Sequence, residues 1–518
     1  MEAHFQYKRI ERAAVQELAN GQTQCSCSGS ESQSCECKGQ PIDPSISSQQ
    51  TELAWVVQWA NPDDPLNPAN WSMLQKTYVT FLVSLIGVSV TAASAIDALG
   101  VTQYTEEFHT SRTVGSIPTG IFMIGIAFGS LLSGPFSETF GRNGTYLVTM
   151  TLYLLFIMAS ALAPHLASHL VFRFLAGFFG SSPLICCGGT IAYLWDPLHK
   201  VYAFLIYAIP GFGGPVIGQL IGSFIPPALG WRWLEWIMLI MGGTVLVLVL
   251  LLQPETYGNL LLYWKASVLR KKTGDNRYRA PMETRTSSLR DRLVIALSRP
   301  FLWSYTELIV MLFSLYLTFV YIILFTFLEG YHYIFGEIYG LSPGLVGISW
   351  AAMLVGMLFI WIIATVVYSW TAKELKLTSR IRPETRLWYA MLGGAPALPI
   401  GLFWMGWTAR TSISIWSPLV ASAFVGYGMI SIFVSAYLYI IDSYGEHAAS
   451  ALAFMGFSRY LISGGTMIAG VTIYEKYGVA YTLTVLGAIS AVMAIVPYAF
   501  YIYGPWIRKN SKHTIARE

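Results

Sequence analysis

The chain has 518 residues, a formal net charge of +4 and 12% charged residues, about half the roughly 25% typical of soluble domains. With 54% apolar residues and a mean hydropathy of +0.52, it cannot hide its apolar surface in a soluble core. These values exclude a soluble globular domain and point to a polytopic membrane protein.

Residues 1–76 are polar, rich in Ser and Gln, and without apolar periodicity. They read as a disordered cytosolic tail with no signal peptide, since the first insertable run begins near Tyr78. Four cysteines fall here, as Cys25-Ser-Cys27 and Cys35-Glu-Cys37. Their one-residue spacers and the lack of a nearby histidine favour incidental or acylated thiols over zinc ligands. Twelve apolar segments follow, near 77–98, 115–135, 145–163, 168–194, 202–224, 231–253, 302–327, 343–370, 387–407, 414–441, 448–474 and 480–503. The expected fold is therefore all-α, with twelve transmembrane helices in two six-helix halves, 77–253 and 301–503. A basic linker, 254–300, joins the halves, and a tail, 504–518, closes the chain. Such an arrangement suits a transporter with its substrate site between the halves. Lys and Arg concentrate in the linker, in the eight–nine connector and at the C-terminus, which predicts cytosolic termini and a cell-membrane or vacuolar location.

The fifth segment carries Gly211-Phe-Gly-Gly-Pro-Val-Ile-Gly-Gln-Leu-Ile-Gly222. Gly214, Gly218 and Gly222 share one helix face, a smooth surface on which a second helix can approach closely and rock. Pro215 removes an amide donor and bends the helix. The loop after span two reads Gly134-Pro-Phe-Ser-Glu-Thr-Phe-Gly-Arg142, and span four contains Arg173-Phe-Leu-Ala-Gly-Phe-Phe-Gly180. Gly230-Trp-Arg-Trp233 opens span six and Pro254-Glu-Thr-Tyr257 closes it, while the second half carries Arg382-Pro-Glu-Thr-Arg-Leu387 and Tyr437-Leu-Tyr-Ile-Ile-Asp-Ser-Tyr444. In order and placement these resemble the fungal twelve-span drug:proton antiporter branch of the major facilitator superfamily. One departure is Ser94-Ala-Ile-Asp97, where relatives more often carry Ser-Ser-Ile-Tyr.

Ionisable groups within spans are costly in hydrocarbon and face a cavity or a partner. The resemblance implies that Arg173 influences protonation of a nearby acid; the competing reading is an arginine tying helix ends together. Glu307, in the first turns of span seven, is a proton carrier or a helix-terminal carboxylate. Asp97 is a proton acceptor or an exposed outer-boundary residue, and Glu235 lies close to Arg232. Arg459, deep in span eleven, is a further proton-coupling candidate, read first as paired with a helix-end carbonyl or an acid. The resemblance further implies charge locks at equivalent connectors, Glu138, Gly141 and Arg142 in one half and Glu384 and Arg386 in the other. Asp442 ends span ten beside them, and together with Gly211, Gly214, Pro215, Gly218 and Gly222 they form the conformational set.

Tyr207, Tyr316, Tyr321 and Tyr437 are mid-span aromatics that suit a cavity for a hydrophobic or amphipathic molecule. No GxxxxGK[ST] loop argues for ATP, and no constellation of nucleophile, base or metal ligands argues for an enzyme. The expected activity is efflux of a hydrophobic organic compound by proton antiport from a monomer, with no catalytic residues, no metal, no cofactor beyond the proton gradient, and no nucleic-acid partner. A facilitator or importer of a small nutrient, and a non-transporting receptor of the same fold, are the alternatives.

Overall fold

The computed structural model describes residues 1–20, 25–27, 55–284, 289–378, 381–445 and 448–511. Among them, eleven helices are long and apolar enough to cross a membrane. In hydrocarbon only a helix satisfies each of its own backbone groups, so every apolar run takes that form. The first half comprises span one, Met73–Ile96; span two, Ile117–Phe140; span three, Arg142–Ala161; span four, Leu166–Leu194; span five, Lys200–Gly222; and span six, Arg232–Leu252. The second begins with span seven, Leu308–Tyr331, and span eight, Pro343–Leu358 continued by Ile360–Thr378. Span nine runs from Pro383–Leu387 to Ala395–Thr408, and span ten is Trp416–Tyr444. The helical run Ala448–Met493 breaks at Gly478, whose φ is +72°, into span eleven and the start of span twelve, which continues as Ile495–Asn510. That break yields the twelfth traverse expected from the sequence.

The first residue and the last described one lie at one face of the bundle. The N-terminal ammonium bonds to the carbonyl of Leu250, and Ser511 bonds to Glu307. The tail is more ordered there than its composition suggests. Glu2–Ala19 is a helix lying on a second helix, Gly258–Thr273, in the linker. Lys265 Nζ joins the two through Glu17 at 2.8 Å and reaches the carbonyl of Gln58 at 3.1 Å. Ala14, Val57, Ala266, Leu269 and Ala280 form a small apolar core between tail and linker. The backbone of Cys25–Cys27 pairs antiparallel with Trp55–Val57, which pairs parallel with Tyr278–Arg279. The expected disorder is thus corrected for these parts; each lacks enough apolar surface alone, and a shared core supplies it. Cys35 and Cys37 lie outside the described residues.

The halves meet where span two lies along span eleven and span five along span eight. Both seams are tight at the face opposite the termini. There the built Cβ of Gly120 would lie 2.6 Å from the carbonyl oxygen of Gly464, and that of Gly347 would overlap Ser223. The glycine face of span five turns elsewhere, onto span one of its own half. A Cβ at Gly214 would overlap Thr91, and one at Gly218 would stand 2.6 Å from the Ala92 carbonyl oxygen. The expected rocking surface is therefore an intra-half contact, in which missing side chains let two backbones touch.

Gly218→Ala should cost about 1–3 kcal/mol through overpacking against the Ala92 carbonyl. Gly211→Ala, whose Cβ meets only the Tyr207 ring at 3.7 Å, should be neutral or stabilising, because alanine favours the helix by about 1 kcal/mol. Thermal unfolding of the two purified variants in the same detergent checks the contrast.

Candidate functional site

Two charged assemblies and a cavity between the halves stand out among the described residues. The first lies near the face opposite the termini, inside the first half. Asp97 follows span one as the helix tightens into the 3-10 turn Asp97–Gly100, His169 and Arg173 stand four residues apart on span four, and Glu235 is in the first turn of span six. All four side chains are fully buried. Arg173 Nε meets Asp97 Oδ2 at 2.7 Å, its Nη1 stands 3.4 Å from Glu235 Oε1, and its Nη2 donates to the Ala93 carbonyl at 2.7 Å. The guanidinium lies 4.3 Å above the Phe122 ring.

A second route links the two acids. Ser160 Oγ donates to Glu235 Oε1 at 3.2 Å and lies 2.8 Å from His169 Nδ1, while His169 Nε2 faces Asp97 Oδ2 at 3.7 Å. With the serine hydroxyl donating to Glu235, the serine oxygen can accept from Nδ1–H, which leaves Nε2 facing Asp97. Tyr104 and Trp231 pack on the imidazole at ring-centroid distances of 5.4 and 5.1 Å and cover the site. Asp97, His169 and Glu235 bring ligand-type atoms within 4.8 Å of one another. The bonded Arg173 guanidinium already occupies the place of positive charge that a metal ion would need.

The sequence singles out Arg173, leaves Asp97 open between a proton acceptor and an exposed outer-boundary residue, and does not single out His169. Glu235 was set beside Arg232, yet Arg232 instead pairs with Glu107 at 2.8 Å on the surface. Glu235, one turn deeper, faces the bundle. The four-residue spacing of His169 and Arg173 on one helix face was the available signal.

The second assembly lies at the termini face. Gly141, with φ +83°, turns the chain into span three. The Glu255 carboxylate accepts from the amides of Arg142 and Asn143 at 3.2 and 3.1 Å, so it caps that helix against its dipole. Burial pushes Glu255 above the usual carboxylate range, opposed by these amide donors. The Arg142 guanidinium rests 5.8 and 5.7 Å from the Tyr193 and Tyr257 rings. In the second half Arg386 Nε bonds Asp442 Oδ2 at 2.6 Å and its Nη2 reaches across to the Pro197 carbonyl at 2.7 Å, while Lys200 stands 3.9 Å from Asp442. Glu384 is held by Arg508 at 2.7 Å. Arg386 thus pairs with Asp442 of its own half, not with Glu384, and the halves are tied by its bond to the Pro197 carbonyl and by Lys200 beside Asp442. Glu307 precedes span seven and accepts from Tyr444 at 3.0 Å and from Ser511. It fastens helix ends at the termini face, the opposite end of the bundle from Asp97.

Between the halves a cavity of about 450 Å³ runs from Glu138, Arg142 and Ala448 at the termini face to Tyr207 and Tyr437 at mid-depth. Tyr316 is fully buried and lies outside the cavity wall, and Tyr321 sits behind Tyr437 against Arg459. Of the two partners expected for Arg459, a helix-end carbonyl or an acid, the acid is not found: among the described residues no carboxylate lies within ion-pair distance, and its Nε and Nη1 have no hydrogen-bond partner.

A family model described as the Major Facilitator Superfamily matches residues 78–466. The MFS-type transporter kojT of Aspergillus flavus is 44% identical over 471 residues, covering 90% of this chain and 83% of its own length. The ascochitine biosynthesis cluster MFS transporter of Didymella fabae is 33% identical over 461 residues, covering 88% and 89%. Among solved structures, the proton:xylose symporter XylE superposes with a TM-score of 0.60 at 15% identity, over 83% of this chain and 97% of that one.

Arg173→Met should lower stability by about 3–5 kcal/mol, because two carboxylates stay buried without their cation. Arg232→Met removes a solvent-exposed pair and should cost no more than about 1 kcal/mol. Thermal unfolding of the two variants side by side measures the difference.

Proposed function

The chain belongs to the major facilitator superfamily, whose members are multi-pass membrane transporters of small molecules and not enzymes, and we propose that it exports an organic compound in exchange for protons. The observation that carries this reading is the buried group of Asp97, His169, Arg173 and Glu235. Two carboxylates and one guanidinium with a neutral imidazole carry a net charge of −1. The group is neutral only when it holds one more proton. In a dry site that difference is large enough to make occupancy by a proton matter to the conformation.

The direction follows from the cavity and the charge pattern. The cavity opens toward the termini, and the abundance of Lys and Arg at that face argues that it is cytosolic. The opposite face is sealed by Gly120 against Gly464 and by Gly347 against Ser223. This is the geometry of a carrier loading from the cytosol. A proton taken up from outside at Asp97 and Glu235 would favour return to this state, and its release would permit the next export step; each ligand acts through its unequal affinity for the two states. The relative from an ascochitine biosynthesis cluster supports a secondary metabolite or toxin as cargo. A cell-membrane location and a monomer complete the reading.

Everted vesicles loaded with a pH-gradient dye test it against a panel of hydrophobic metabolites and drugs. A substrate should dissipate the gradient in vesicles bearing the wild-type protein. Glu235→Gln and Asp97→Asn should abolish that proton movement, whereas Glu307→Gln should retain it. Substrate uptake that is unchanged after a protonophore collapses the gradient would instead support a facilitator.

A further inference from the structure

We infer that Arg459 is the counter-charge for the cargo, so that the transporter recognises an organic acid as its anion. The inference rests on the reading of the protein as a transporter and narrows the substrate class of its cavity. Three buried arginines can be compared. Arg173 forms an ion pair with Asp97 and Arg386 with Asp442, although Arg173 Nε and Arg386 Nη1 also lack a hydrogen-bond partner. Arg459, 4% exposed, is the exception.

Its guanidinium carbon lies 4.7 Å from the Tyr321 and Tyr460 ring centres, 5.3 Å from Tyr437 and 5.4 Å from Phe433. Ring faces attract a cation, and the Tyr437 side chain is a neutral hydrogen-bond partner, but neither supplies the negative charge of a carboxylate. Nε and Nη1 are left with unused donors in a dry interior. A buried cation without a fixed anion is strongly disfavoured unless another anion arrives during the working cycle.

The route for such an anion is already formed. Tyr437 belongs both to this cage and to the wall at the inner end of the cavity, beside Tyr207. A ligand coming from the termini face therefore meets Tyr437 with the guanidinium one ring behind it. The low-dielectric walls focus that charge into the cavity. A shift of the Tyr437 ring exposes a planar donor pair matched to a carboxylate or a delocalised enolate, with the surrounding rings stacking on the apolar body of the acid. At about 450 Å³ the cavity holds a one- or two-ring molecule. Export of a monoanion against entry of a proton moves negative charge out and positive charge in. An inside-negative membrane potential then favours both movements.

The test uses the full-length protein in nanodiscs and one skeleton in three charge states: 2-naphthoate, 2-naphthamide and 2-naphthylmethylammonium. Equilibrium binding to the wild type should favour the carboxylate at least tenfold over the amide and exclude the cation. Arg459→Gln should erase that preference while retaining amide binding, and Arg459→Lys should keep part of it. Equal or weaker binding of naphthoate relative to the amide in the wild type would overturn the inference, and this comparison needs no variant to fold. A preference for the anion that survives in Arg459→Gln would also overturn it. Because no gradient is applied, loss of proton coupling in vesicles leaves this result standing, and loss of anion preference leaves the antiport reading standing.

Discussion

A charge held in hydrocarbon must find an opposite charge or a set of donors, and this constraint places most of the polar residues of the bundle. Arg173 illustrates it fully: one guanidinium bonds Asp97, approaches Glu235 and holds the Ala93 carbonyl, so that spans one, four and six converge on a single cation. At the termini face the same demand is met differently. Asp442 collects Arg386 from its own half and Lys200 across the boundary between halves, and Glu255 gathers backbone amides at the start of span three. One assembly is sealed under Tyr104 and Trp231, while the other stands at the mouth of the cavity.

Close backbone approach is the second organising constraint. Hydrophobic attraction does not favour one helix over lipid as a neighbour, so contact area and small residues decide which helices touch. Spans two and four cross with Gly125, Gly129 and Gly177 against carbonyl oxygens, and spans eight and ten do so at Gly356 and Gly426. These contacts make each half stiff. The seam between halves relies on fewer such points, grouped at the face opposite the termini. A stiff half and a sparse seam allow the halves to move as bodies.

The twelve traverses and the motif set were legible because apolar run length and glycine spacing are local signals. The helix Glu2–Ala19 was not. Its stability comes from Gly258–Thr273, more than two hundred residues away, and a polar composition hides a core shared by two segments. The charge network was legible only in part. Arg173 stood out as a cation within a span, but the Asp97 and Glu235 boundaries were judged by distance from span ends rather than by the face they present. His169 carried a signal only when read with Arg173. For Arg459 the sequence supplied depth and nothing about partners, and the expected acid is replaced by aromatic rings whose convergence from spans seven, ten and eleven no linear pattern records.

The buried Asp97 group and the inner wall of the cavity are joined through one short piece of span one. The carbonyl of Ala93 is bonded by Arg173, that of Ala95 accepts from Gln219 at 2.6 Å, and that of Ala92 lies under Gly218. Residues 92–97 are therefore gripped by span four from one side and span five from the other. Span five carries Tyr207, whose hydroxyl bonds the Leu184 carbonyl of span four at 3.0 Å at the cavity wall. A change of charge at Asp97 that alters its hold on Arg173 acts on the same backbone that seats the glycine face of span five. Because that face has no side chains to deform, displacement passes to the helix as a whole and reaches Tyr207 at the inner end of the cavity. The glycines that the sequence suggested as a sliding surface between halves thus serve as a rigid coupling within one half.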